Sequence, residues 1–268
     1  MYSALLPDFP ELPKLFELKI SIITITYNSE HTVEETIKSV VSQDFPDIEY
    51  LIVDGLSKDH TLSIAGRYSK YIDKIVSEKD KGLYDALNKG IKLATGDVIG
   101  MLHSDDVYAN NQVISRIAQQ FAMDPEIEAV YADLVFVDRN DTDKVLRTWR
   151  AGAYEPDAFK KGWMPPHPTF FVKKSVYDRL GGFNLDLKLS ADYELMLRFI
   201  HKHQIKVAYL PETIVKMRMG GISNTSFFVK LKANMEDKLA WKINDMKPGL
   251  FTTLIKPIKK LKQYFDKG

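Results

Sequence analysis

The apolar positions fall into two alternating patterns. Lys19–Thr26 (KISIITIT) is β-branched at nearly every position, which predicts a strand buried on both faces. His31–Gln43 follows with Val33, Ile37, Val40 and Val41 at helical spacing. Glu49–Val53 (EYLIV) predicts a second buried strand, closed by Asp54-Gly55. Asp59 or Ser57 can cap a helix running through Tyr68, and Asp73–Ser77 predicts a third strand. Leu83–Leu93 predicts a helix, Asp97–Leu102 (DVIGML) a fourth strand, and Asn110–Met123 another helix. Four strand–helix units in about 120 residues imply a mostly parallel sheet with right-handed crossovers.

The second half changes character. Ala129–Val137 and Lys144–Arg150 read as two strands, paired through the Asp138–Asp143 turn. Pro165-Pro166-His167-Pro168 is a stiff loop before a strand at Thr169–Val172, and Gly181–Asn184 is a turn. Ser190 can cap a helix over Ala191–His203. Strands at Val207–Leu210 and Ile214–Met217 follow, then a loop over Arg218–Asn224. From Phe227 the chain reads as helical and basic, with ten lysines against four acids in 230–268.

In an open parallel sheet, ligands sit beyond the carboxyl ends of the strands. Thr26-Tyr27-Asn28, Asp54, Glu78 to Gly82 and Asp105-Asp106 follow the four strands in turn. Asp105-Asp106 suits a hard divalent cation that neutralises a departing diphosphate; a helix cap or solvated turn is the other use of such a pair. Asp54 can accept from a base or a ribose hydroxyl, or simply hold a turn. Tyr27 can stack on a base or pack. Asp192, at a helix start, can act as a base toward a hydroxyl or balance the helix dipole, and Glu194 can do the latter. His167, between prolines, is a candidate contact for an acceptor or phosphate. Arg218 beside Gly220-Gly221 is a candidate diphosphate partner or a surface arginine. His103 is a further possible metal ligand, whereas His201 and His203 read as packing or surface residues.

The 268 residues carry 45% apolar and 27% charged side chains, ordinary for a globular α/β domain. Net charge is +1, which gives no global field for nucleic acid. The absence of cysteine excludes disulfides, thiol nucleophiles and zinc–thiolate sites. No basic leader and no run of about 20 apolar residues stands in the sequence, so cytoplasmic placement is expected. The tail interleaves lysines with Trp241, Ile243, Leu250, Phe251 and other apolar residues. It suits either a membrane interface or a helical lid or dimer contact.

The runs ISIITITYNSE, LIVDGLSKDHT, SEKDKGLYDALNKGIKLATGDVIGMLHSDD and GGFNLDLKLSADYELMLRF resemble glycosyltransferase family 2, over roughly residues 19–222. They look most like the branch that builds bacterial exopolysaccharide, capsule and O-antigen repeat units. The resemblance implies an α/β GT-A fold with a C-terminal helical extension, a nucleotide-sugar donor, Mn2+ or Mg2+, and inversion at the anomeric carbon. Its domains are an arm over 1–18, a transferase domain over 19–225 (nucleotide half 19–123, acceptor half 124–225) and a basic tail over 226–268. Thr26, Tyr27, Asn28 and Asp54 are expected at the nucleotide, with Glu78, Lys81, Gly82, Asn88, Ser104, Asp105 and Arg218 around the rest of the donor. Asp105 matches the metal-binding aspartate of the family's D-x-D motif, with Asp106 beside it. Asp192 matches the catalytic base, and His167 with Asp192 would meet the acceptor. That acceptor would be a saccharide, in this branch polyprenyl-diphosphate-linked at the inner leaflet. Two departures stand out: His103 replaces the first Asp of D-x-D, and Ala191 replaces the Glu before the base. They leave open a non-catalytic nucleotide-sugar-binding subunit. A nucleotidyltransferase would normally show a Gly-rich phosphate loop near its first strand, and a Rossmann dehydrogenase a G-x-G-x-x-G; neither is present.

Overall fold

The computed structural model describes residues 18–220 and 227–249. The expected arm (residues 1–17), the end of the 218–224 loop and the tail beyond residue 249 lie outside them. Nine strands form one sheet: β1 (Ile20–Thr26), β2 (Ile48–Asp54), β3 (Lys74–Ser77), β4 (Val98–Met101), β5 (Asp106–Tyr108), β6 (Ala129–Val137), β7 (Val145–Trp149), β8 (Phe171–Lys173) and β9 (Val207–Arg218). Among the described residues seven α-helices flank it: α1 (Val33–Val41), α2 (Thr61–Gly66), α3 (Leu83–Leu93), α4 (Val113–Met123), α5 (Lys174–Leu180), α6 (Ala191–Met196) and α7 (Phe227–Ile243).

The order across the sheet is β3-β2-β1-β4-β8-β6-β9-β5, with β7 on β6. The first four strands are parallel, as their apolar runs predict. β8 then runs antiparallel to both β4 and β6, and β9 runs parallel to β6 and antiparallel to β5. The sheet is therefore parallel over β1 to β4 and mixed beyond them. The alternation of side chains along β1 divides the core. Ile20 and Ile22 pack with α1 and α4, while Ile23 and Ile25 pack with α3, α6 and the inner side of α7. Gly90 lets α3 lie close to β1, because a Cβ there would stand 2.5 Å from Ile23 Cγ2.

Three local expectations change. The strands expected at Val207–Leu210 and Ile214–Met217 are one strand, β9, whose register against β6 shifts near Pro211, a residue with no N–H for the ladder. The expected strand at Thr169–Val172 splits into a 3-10 turn at His167–Thr169 and the short β8. The helix over Ala191–His203 is α-helical only to Met196 and continues as a π-turn over Leu197–Lys202.

The start of the basic tail packs on the domain. On α7, Ala240 and Trp241 are buried against α6, and Trp241 Nε1 donates to Tyr193 Oη at 2.9 Å. Among the described residues, no helix is long and apolar enough to cross a membrane.

Candidate functional site

The loops after β1 and β2 are laced together at the carboxyl edge of the sheet. Asn28 takes a left-handed φ of +48°, which asparagine tolerates. Its Oδ1 accepts from Lys58 N at 2.9 Å, and its own N–H donates to Ser57 Oγ at 2.8 Å. Asp54 is the hub. Its carboxylate accepts from Thr26 Oγ1 (2.9 Å), Ser57 N (2.9 Å), Ser77 Oγ (2.7 Å) and Ser57 Oγ. Those four donors fill a carboxylate's acceptor sites, and Asp54 is 0% exposed. The expectation that Asp54 itself meets the base or ribose is corrected: here it ties the ends of β1, β2 and β3 into one rim. The side chain that stands open at that rim is Tyr27, at 61% exposure. Gly55 lies beneath it; a Cβ there would stand 3.3 Å from the Tyr27 ring and 2.6 Å from Asp80 Oδ2. Asp80 thus belongs to the rim, although it was not singled out within the SEKDKG run.

Glu78, Lys81 and Gly82 are exposed on the same edge. Glu78 pairs with Lys89 at 3.0 Å, the Lys81 N–H donates to Asp85 Oδ2 at 2.9 Å, and Gly82 starts α3 with φ +121°. Asn88 is not free for a donor sugar. Its Nδ2 donates to Phe183 O (2.9 Å) and its Oδ1 accepts from Phe183 N (2.8 Å), fastening the Gly181-Gly182-Phe183 turn to α3.

Two further expectations are corrected by burial. The Asp106 carboxyl is 1% exposed, sealed where β5 meets β9; Oδ1 accepts from Arg218 N at 3.2 Å and Oδ2 has no partner. Burial, then the nearby Asp105 charge, pushes its pKa well up, so the carboxyl favours its neutral form. It has no open oxygen for a cation in the cleft. The Arg218 guanidinium is spent inside the fold. Nη1 donates to Asp105 O at 2.7 Å, Nε to Arg139 O at 3.1 Å, and Nη2 pairs with Glu35. Its place is to fix the Asp105 loop rather than to meet a diphosphate.

Past β4 the cleft deepens. Ser104 Oγ meets Ser29 Oγ at 2.8 Å, joining the Asp105 loop to the loop after β1. Asp105 is half-buried, and among the described residues nothing donates a hydrogen bond to its carboxylate. His103 and His167 meet edge to face with ring centroids 5.6 Å apart. His167 Nδ1 stands 3.3 Å from Asp192 Oδ2, and Tyr84 Oη donates to Asp192 Oδ1 at 3.2 Å. Burial lowers the pKa of both imidazoles. For His103 the neighbouring His167 adds to this, bringing it to about 4; for His167 the Asp192 and Asp105 charges oppose it. Tyr84, His103, His167 and Asp192 line one cavity of about 110 Å³, whose other walls are apolar, among them Leu87, Phe170, Phe183 and Leu189. That volume takes a fragment the size of one ring, not a whole nucleotide sugar. His201 packs against Phe159 and Trp241, as expected.

A second layer holds Asp192, and sequence reasoning missed it. Glu236 of α7 accepts at Oε2 from the N–H groups of Lys188 (2.9 Å), Leu189 (2.7 Å) and Ser190 (3.1 Å), the segment leading into α6. Buried Glu194 pairs with Arg198 at 2.9 Å and accepts from Asn244 Nδ2 at 2.9 Å. Arg198 in turn donates to the carbonyls of Leu180, Gly181 and Gly182. Nothing in the local spacing around residue 236 signals this; the basic pattern of the tail hides it.

One side chain here suits a hard divalent cation. Asp105 offers an unpaired carboxylate at the cleft, with His103 beside it. Among the described residues, no cluster of three or more acidic or histidine side chains could hold an ion alone. An ion bound at Asp105 would therefore complete its shell with diphosphate oxygens and water, the usual habit of Mg2+ and Mn2+ in such sites.

Known proteins resemble the chain in sequence and in fold. The family model of Glycosyl transferase family 2 matches residues 21–181. A PGL/p-HBAD biosynthesis glycosyltransferase of Mycobacterium bovis is 28% identical over 211 residues, covering 76% of this chain and 79% of that one. Among solved structures, S. aureus TarS in complex with UDP-GlcNAc superposes with a TM-score of 0.63 at 18% identity, over 85% of this chain and 65% of that one. A mannosyltransferase of Pyrobaculum calidifontis, in complex with GDP-Man and Mn2+, gives 0.64 at 19% identity, over 90% and 69%. The chain thus spans just under two thirds of the TarS structure, which holds residues 1–349 of that protein. The expected GT-A fold is the fold observed.

Proposed function

The chain belongs to glycosyl transferase family 2, and from that premise we propose that it moves a sugar from a nucleotide-diphosphate donor to a hydroxyl of a saccharide acceptor, with inversion. One observation carries the reading. Asp192, more than 80 residues beyond Asp105 in sequence, faces the same cleft as the His103–Asp105 loop, linked through His167. A base on one side and a diphosphate-side carboxylate on the other is the arrangement direct displacement requires.

The nucleotide lies along the rim of Tyr27, Asn28 and Asp80, with the base against the Tyr27 ring. Asp105 would be the side chain to hold a Mn2+ or Mg2+ ion, whose charge would offset that of the leaving diphosphate. Asp192 takes the proton of the acceptor hydroxyl as its oxygen bonds to the anomeric carbon, and the bond from that carbon to the diphosphate breaks. Tyr84 occupies one of the carboxylate's four acceptor positions, and the His167 ring stands beside the other oxygen, which leaves room for the hydroxyl. The apolar walls beside Asp192 keep water from competing for the sugar.

A uridine diphosphate hexose or N-acetylhexosamine is the first donor to test, with GDP-sugars as the comparison. The acceptor is taken to be a lipid-linked oligosaccharide of surface polysaccharide synthesis, met at the cytoplasmic face of the membrane. The deciding experiment screens a panel of nucleotide sugars for thermal stabilisation, then measures donor hydrolysis or transfer with Mn2+ and with chelator. Asp192→Asn should bind the same donor and lose turnover. Donor binding without turnover in the wild-type chain would instead make it a binding subunit. Release of pyrophosphate from a sugar phosphate and a nucleoside triphosphate would make it a nucleotidyltransferase.

A further inference from the structure

Helix α7 has two faces of opposite character. Its inner face is the buried one: Glu236, Asp237, Ala240, Trp241 and, just past the helix end, Asn244. Its outer face carries Leu231, Met235, Leu239 and Ile243 at intervals of four residues, all exposed, with Met235 at 65%. At about 100° per residue these four span roughly a third of the circumference. Lys232, Lys238 and Lys242 are exposed on the same arc, between the apolar side chains. Both acids of the helix, Glu236 and Asp237, lie on the buried side. Within the helix the outer arc is thus apolar and cationic, and the exposed acid nearest to it, Asp245, lies past the helix end.

We propose that this arc is a docking surface for an anionic lipid bilayer, with Leu231, Met235 and Leu239 entering the headgroup boundary and Lys232, Lys238 and Lys242 meeting lipid phosphates. A second copy of the chain is the poorer occupant. A two-fold contact through this face would set its lysines against their own symmetry mates, with no acid between them. A bilayer with anionic headgroups answers both features at once: the helix lies in the interface plane with its apolar side chains down and its lysines at headgroup level. The sequence continues the bias beyond the described residues, with Lys256, Lys259, Lys260, Lys262 and Lys267 against one acid, Asp266. The inference rests on the transferase reading only in taking the acceptor to be lipid-borne. Through Glu236 the same helix holds the segment that leads to Asp192, so the docked face and the reacting site share one rigid element.

The test is co-sedimentation of the full chain with vesicles of phosphatidylcholine alone and with 30% phosphatidylglycerol. Two variants are compared: Leu231→Ser/Met235→Ser/Leu239→Ser and Lys232→Gln/Lys238→Gln/Lys242→Gln. The wild type should bind the anionic vesicles and not the neutral ones. Each variant should lose at least tenfold in affinity while keeping its melting temperature and its stabilisation by a nucleotide sugar. Failure of the wild type to bind, or undiminished binding by either variant, would overturn the proposal. So would a wild-type dimer in light scattering that the serine variant dissociates, since the face would then belong to a second copy. Vesicle binding needs no sugar donor, so its outcome is independent of whether transfer is observed.

Discussion

The phenol of Tyr84, in the first turn of α3, donates to Oδ1 of Asp192 at 3.2 Å, joining residues 108 positions apart in sequence. The Tyr84 ring also stacks on Phe183 with centroids 5.4 Å apart. Tyr84→Phe keeps the stack and removes the donor. A hydrogen bond to a charged group contributes about 1.5–3 kcal/mol, so kcat should fall roughly 10- to 100-fold. The KM for the donor should change little. A kcat equal to wild type would show that Asp192 is oriented by other means.

Glu236 offers a sharper separation of reacting and supporting groups. Glu236→Ala leaves the N–H groups of Lys188, Leu189 and Ser190 without their acceptor. At about 1 kcal/mol or more for each unmet group, stability should drop by roughly 3 kcal/mol. The segment that carries Asp192 into the cleft should loosen, lowering kcat more than donor affinity. Glu236→Gln retains one acceptor oxygen and should recover much of both. Denaturant melts and steady-state kinetics on the pair would check this.

Gly182 is fixed by contact rather than by backbone angle. A Cβ there would stand 2.2 Å from Asn88 Oδ1, the atom that accepts from Phe183 N. Gly182→Ala should therefore break the clamp between α3 and the Phe183 turn, at a cost of about 1–3 kcal/mol for a buried steric conflict. Asn88→Ala should cost a similar amount by removing the clamp from the other side. Because both act on one contact, the double variant should lose less than the two separately, a non-additivity that a double-mutant cycle would read.

At the opposite end of β1, Glu49 links stability to pH. Its carboxylate is buried, which pushes the pKa up. Hydrogen bonds from Ser21 Oγ and from the N–H and Oγ1 of Thr95, together with Lys19, outweigh this and hold it below the ordinary glutamate value. The folded pKa lies below the unfolded one, so the stabilisation is complete above the unfolded value of about 4.3 and is lost as pH falls through the folded value. Thermal melts from pH 7 down to pH 3 should show a steep acid limb for wild type. Glu49→Gln should start lower at pH 7 and fall less steeply.

Much of the fold was legible because β1, β2 and β4 are unbroken apolar runs and α1, α3 and α4 carry clear helical stripes. Elements too short to show a period escaped: β5 has three residues and α5 only seven. The candidate site was legible as a set of loops and less so as a set of roles. Asp54, Asn88 and Arg218 are polar residues at the expected edge, but their partners come from distant positions that no local spacing encodes: Ser77, Phe183 and Glu35. Asp106 looks like its neighbour Asp105 in sequence. The β5–β9 pairing decides that one carboxyl is sealed and the other is open. Tyr84 and Glu236 were invisible as supports for Asp192 because each acts across the fold.

That same β5–β9 pairing orders events in time. Asp106–Tyr108 pairs with Val215–Met217, and Arg218 fastens the carbonyl of Asp105, so the loop bearing the open carboxylate is set by chain more than 100 residues downstream. During synthesis the parallel strands β1 to β4 can assemble early from nearby sequence, whereas this loop must wait for β9. A nascent chain halted before β9 would hold much of the rim of β1 to β3 with its Asp105 loop unfastened, and that loop would be set only once Arg218 has left the ribosome.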